Sequence, residues 1–175
     1  EDPNWKAAAA NAWGGALLNR GEWAGALEQY EAVLQDPTAS PSTLVKALHY
    51  RVLLLAFSGQ AGVARKLLEQ RGQELVGDTF HRFRIDSVLA HFEGRPEQAF
   101  ESARKAVALA QVKGGNRQIA LALQALSEAL CDLGRPDAAR PEIAKALDCA
   151  RRSGERQIIG ICLLSLARIA ELEGD

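Results

Sequence analysis

The chain has 175 residues, room for one large domain or a short array of small units. Apolar residues make up 47% and charged residues 25%, with six prolines and fifteen glycines, which argues against a disordered or collagen-like chain. The net charge of −1 comes from 21 Lys and Arg against 22 Asp and Glu, which argues against holding nucleic acid by a whole-surface basic field. No apolar run approaches the roughly 20 residues of a membrane span, and no signal peptide is visible. No membrane partner and a cytoplasmic location are therefore expected. Met is absent even from position 1, so the chain reads as a segment of a longer protein.

Apolar positions stepping by three and four predict helices from end to end. In chain order they fall near 4–19, 22–35, 41–58, 60–75, 78–93, 96–112, 116–133, 136–152 and 155–173. Ala120, Leu123, Leu126, Leu130 and Leu133 trace one such face, and Leu163, Leu166, Ile169, Ala170 and Leu172 another. The stretch DPTASPS at 36–42 is the longest expected loop. Pro96 and Pro136 suit the first turn of a helix. Gly77, Gly114, Gly115 and Gly154 are expected to close helices in the left-handed conformation, with Asp78 or Thr79 and Asn116 capping the helices that follow. Pro141 should kink the eighth helix or push its start later.

A phrase recurs along these helices: LLNRGEWAGALEQY, AFSGQAGVARKLL, HFEGRPEQAFESA and CDLGRPDAARPEI. Each carries a turn glycine (Gly21, Gly59, Gly94, Gly134) and, five residues on, an alanine (Ala26, Ala64, Ala99, Ala139). A further copy begins in ARIAELEG at Gly174, so the glycine steps are 38, 35, 40 and 40 residues. Such self-similarity marks a repeat architecture. It resembles the tetratricopeptide repeat across essentially the whole chain. Gly14, Gly21, Trp23, Ala26 and Tyr30 match best; Ser87, Ser127 and Ala167 fill the small first-helix position of later units.

The resemblance implies an all-α, right-handed solenoid of antiparallel helix pairs, about nine helices. It would form one array over 1–175, with units near 4–37, 41–76, 78–114 and 116–153 and a half unit at 155–174. The forty-residue period of the later units is similar to long tetratricopeptide arrays of bacterial multidomain regulators of transcription and signal transduction. The family's chaperone-binding clamp is not expected, because Gly15 and Leu53 stand where polar clamp residues would be.

No catalytic or cofactor motif is present: GxxxxGK[ST], HExxH, CxxC and GxGxxG are all missing. Neither an enzyme, a cofactor nor a metal site is expected. Cys131, Cys149 and Cys162, an odd count among apolar neighbours, read as buried thiols rather than a zinc or disulfide framework.

In the family, first helices line the concave surface. One stripe along them picks out Asn11, Lys46, His49, Phe57, His81, Arg84, His91, Gln124, Glu128, Asp132 and Arg168 as a partner-binding groove, basic at Lys46, His49, His81 and Arg84 and acidic at Glu128 and Asp132. The function implied is a protein–protein interaction scaffold, binding another protein or another domain of the same chain. The alternative is a sensor that takes a small ligand or signalling peptide in the groove. Self-association through 155–173 is also expected, with some of Ile158, Ile161, Cys162, Ile169 and Leu172 exposed.

Overall fold

The computed structural model describes residues 4–75 and 79–174, and every element among them is helical. In order these are α1 (Trp5–Asn19), α2 (Trp23–Gln35), α3 (Pro41–Phe57), α4 (Ala61–Arg71) with a 3-10 turn (Gly72–Leu75), α5 (Thr79–Phe92), α6 (Pro96–Lys113), α7 (Asn116–Asp132), α8 (Pro136–Ser153) and α9 (Arg156–Glu173). The contacts divide the chain into two compact units, Glu1–Asp78 with α1–α4 and Thr79–Asp175 with α5–α9. In the second unit each helix packs on its chain neighbour, and α7 also touches both α5 and α9.

One turn is built four times. Gly21, Gly59, Gly94 and Gly134 have φ of +79°, +77°, +68° and +69°, a region that costs glycine alone nothing. Each glycine N–H donates to the carbonyl three residues back, at 2.9–3.1 Å. The next residue's N–H reaches the carbonyl five back (Glu22 to Leu17, Gln60 to Leu55, Arg95 to Ala90, Arg135 to Leu130) at 2.8–2.9 Å. This pair of bonds satisfies carbonyls that a helix end would orphan. The second helix then starts at once, its first ladder bond running from Ala26, Ala64, Ala99 or Ala139 to the residue after the glycine.

Those four alanines are completely buried. In the second unit, what faces them is a serine twelve residues earlier. Ser87 Oγ donates to the Ala99 carbonyl at 3.0 Å, and Ser127 Oγ to the Ala139 carbonyl at 3.1 Å. The same offset leads from Ala26 back to Gly14. A Cβ added to Gly14 would lie 2.9 Å from Cε1 of Tyr30, a fully buried ring stacked 5.5 Å from Tyr50. Gly14→Ala should therefore lose about 1–3 kcal/mol to overpacking, only partly offset by a helix-propensity gain of about 0.5–1 kcal/mol. A methyl at Gly15 meets nothing within 4 Å, so Gly15→Ala should raise the urea midpoint while Gly14→Ala lowers it.

Several local details depart from expectation. Gly154 is left-handed as expected, but Gly114 (φ −91°, ψ 156°) and Gly115 (φ −87°) are extended. The chain there leaves α6 without a left-handed cap, and Gly115 N–H is held by Gln118 Oε1 at 3.2 Å. Gly115 thus occupies the cap position of α7, and Asn116 is its first residue. Thr79 opens α5; Gly77 and Asp78 lie outside the described residues. Pro141 does not delay α8, which begins at Pro136 and runs through it. Only the Asp137 carbonyl loses its helical donor, and both residues are exposed where water can serve it. The 36–42 segment is ordered by side chains: Asp36 Oδ1 accepts from Thr38 N–H at 2.8 Å and Thr38 Oγ1 at 2.7 Å, and Ser40 N–H donates to Asn4 Oδ1 at 2.8 Å.

The core of the second unit includes Leu123, Leu130, Ile143, Ile158, Cys162 and Ile169, all buried. The first unit centres on Tyr30, Leu48, Val52 and Leu68. All three cysteines are buried free thiols. Burial pushes Cys131 and Cys162 up to about 11 each, so both stay protonated at neutral pH. Among the described residues, no helix is long and apolar enough to cross a membrane.

Candidate functional site

A forty-residue period has a geometric consequence. Residues at one repeat position of α7 should meet their equivalents on α9. Glu128 and Arg168, forty apart, do so: Arg168 Nη1 donates to Glu128 Oε2. Arg168 Nη2 also donates to Asp132 Oδ1 at 2.7 Å, and Asp132 Oδ2 pairs with Nδ1 of His91 on α5. One turn earlier, Gln124 Nε2 donates to Ser165 Oγ at 3.1 Å. Four predicted groove residues, His91, Glu128, Asp132 and Arg168, thus form one polar ladder across α5, α7 and α9, with Gln124 beside it. All of them are half-buried, so the ladder is anchored in the unit yet open to solvent on one side.

Its one guanidinium is shared between its two carboxylates. Partial burial disfavours the Asp132 carboxylate, but hydrogen bonds from His91 and Arg168, with their positive charge, outweigh it and hold the group below the ordinary range. The sequence-level expectation of an acidic groove end at Glu128 and Asp132 is corrected here, because both carboxylates are already engaged by the Arg168 guanidinium. Their field is spent locally rather than offered to a distant partner.

A pH dependence follows from Asp132. Its folded pKa is depressed, so its stabilisation is complete above the unfolded aspartate value of about 3.9 and is lost as pH falls through the lower folded value. Asp132→Asn should flatten the acid limb of a Tm-against-pH curve below that point. An unchanged limb would assign acid unfolding to other carboxylates.

The remaining groove residues are placed differently. Lys46 is exposed on α3, and Phe57 is exposed as its last residue. Asn11 is half-buried on α1, and His81 is half-buried on α5 with its ring edge-on to Phe80 at 5.3 Å. His49 is 3% exposed and Arg84 6% exposed. These two are core side chains and do not present a basic surface, because a three–four stripe on one helix gives direction but not depth. Arg84→Glu would bury a reversed charge, so it tests folding rather than a docking surface.

Sequence reasoning missed the partners. Ser165 was not singled out, nor were the ion pairs Arg117–Glu155 and Arg140–Glu173 on the same unit. Nor was the serine-to-carbonyl bond at the helix crossings, although an offset of twelve residues between Ser and Ala repeats in the sequence. In the first unit, an open hollow of 420 Å³ is lined by Leu27, Glu28, Glu31, Ala32, Gln35 and Arg51. Its apolar floor is small and its rim carries the Arg51–Glu31 ion pair. No group of three His, Cys, Asp or Glu among the described residues could hold a metal ion. No protein-family model, no curated protein and no solved structure matches the chain, so its reading rests on its own residues and geometry.

Proposed function

We propose that the chain is a non-enzymatic protein–protein interaction scaffold. In this reading it is a tetratricopeptide array whose antiparallel helix pairs wind into a right-handed solenoid, working in the cytoplasm as part of a bacterial regulatory protein. Its partner is a protein segment, or another domain of its own chain, laid across the first helices. The repeated glycine turns and buried crossing alanines support the repeat assignment.

The observation that carries the function is the ladder on α5, α7 and α9. Side chains already fixed by one another lose little rotamer freedom when a partner arrives, which favours binding. Arg168 has five N–H donors; Nη1 and Nη2 each contribute to a carboxylate bond, and the remaining hydrogens can meet carbonyls of an extended peptide. Gln124 adds an amide carbonyl oxygen for a peptide N–H.

A peptide-display selection with the full chain as bait tests this reading. Selected peptides should bind the chain and lose about tenfold in affinity, or 1.4 kcal/mol, with Gln124→Leu, while circular dichroism and a cooperative urea transition show that the variant still folds without its bond to Ser165. Equal affinity for the variant would remove the ladder from the binding surface. A metabolite that raises Tm by mass action, with no peptide selected, would replace the scaffold reading with a sensor.

A further inference from the structure

The exposed side of α9 carries a second surface, distinct from the ladder. Shifted by one forty-residue period, α9 repeats α7, yet their burial differs. Leu123 and Ser127 are buried in α7, which packs closely on α8. Their equivalents Leu163 and Ala167 are exposed, Leu163 by 47% and its neighbour Leu164 by 73%. No described helix covers this face. The residues expected from sequence to be bare are mostly not: Ile158, Cys162 and Ile169 are buried, Ile161 is half-buried and only Leu172 is exposed.

The bare stripe has an internal symmetry. Arg156, Gly160, Leu163, Leu164, Ala167 and Glu171 are all exposed and fall within about 100° of one another around a 3.6-residue helix. Turn a second α9 antiparallel about an axis between Leu163 and Leu164. Leu163 then lies opposite Leu164, Gly160 opposite Ala167 and Arg156 opposite Glu171. Small residues meet small residues, which lets the axes approach, and the apolar centre is closed at each end by opposite charges. Among the described residues neither Arg156 nor Glu171 makes an ion pair of its own. A surface complementary to its own two-fold copy is what an isologous dimer needs.

We propose that a second copy of this chain docks here, α9 against α9, antiparallel, with two Arg156–Glu171 pairs flanking a Leu163–Leu164 centre. The charges set orientation and register, and the leucines supply the buried apolar area. This holds whether or not the ladder binds a peptide, because Arg168 and Gln124 take no part in it.

Sedimentation of the full chain across a concentration series tests the dimer. The expected result is a species of twice the 18.9 kDa chain mass at submillimolar concentration. Leu164→Glu should leave only monomer. Arg156→Glu should raise the dissociation constant about tenfold or more by placing like charges opposite each other at both ends, and Arg156→Glu with Glu171→Arg should restore it. All three changes lie on exposed positions, and circular dichroism confirms that each variant stays folded. A monomer throughout the series would overturn the proposal, leaving the face to a further helix of a longer chain. So would a dimer indifferent to Leu164→Glu, or a charge swap that fails to restore pairing.

Discussion

Ala99→Leu and Ala139→Leu are each expected to destabilise the second unit by about 1–3 kcal/mol, read as a lower urea midpoint. Both methyl groups are completely buried, and the carbonyl of each residue accepts a hydrogen bond from the serine of the facing helix. Three extra carbons at such a site must push the axes apart, straining a bond whose donor, once buried and unpaired, costs about 1–3 kcal/mol. The same substitution at Ala108 is the control. Ala108 lies on α6, the helix that carries Ala99, but is exposed, so Ala108→Leu should stay within about 0.5 kcal/mol. Equal losses at all three sites would mean that leucine harms these helices for reasons other than the closeness of the crossing.

Tyr30 supplies the second large effect. The ring is completely buried over Gly14 and stacks on Tyr50, so Tyr30→Ala should cost about 3–5 kcal/mol through lost burial and the cavity left behind. Its hydroxyl is a different matter. Among the described residues the oxygen has no hydrogen-bond partner, and burial drives its pKa far above the ordinary tyrosine value. A buried hydroxyl without a partner costs about 1–3 kcal/mol. Tyr30→Phe should therefore hold or raise stability in urea unfolding. A loss above about 1 kcal/mol would show that the hydroxyl is satisfied in solution, by a bound water for instance.

Much of the architecture is legible in the residues themselves. The glycine–alanine phrase places four turns, and each has the same two capping bonds. Pro41, Pro96 and Pro136 all stand at the first position of their helices, where a missing N–H costs nothing. The helical periodicity places every described helix within a few residues. The end of α4 is the widest difference: the α-helix stops at Arg71 and tightens into a 3-10 turn from Gly72, a poor helix former.

The candidate site is less legible, for a physical reason. Periodicity assigns a side chain to a face, but depth depends on what the neighbouring helix contributes there. His49 and Arg84 share the stripe of Lys46 and His91 and are nonetheless buried. Glu128 and Asp132 look like an acidic surface until Arg168 and His91 are brought onto them from other helices. On α9, Cys162 and Ile169 keep an apolar core covered by the rest of the unit, while Leu163 and Leu164 on the other side are left bare. The spacing of forty residues supplies part of this missing information, since it tells which residues of α7 and α9 should touch.

The ladder depends on that contact between equivalent positions of α7 and α9, and a double-mutant cycle between Glu128 and Arg168 measures it. Arg168→Ala, Glu128→Ala and the double variant are compared by urea unfolding with the parent chain. Because both side chains are partly exposed, the coupling expected is modest, about 0.5–1 kcal/mol, and should shrink in high salt. Losses that add to within about 0.3 kcal/mol would contradict the placement of equivalent positions on α7 and α9 in contact, and with it the ladder built on that contact.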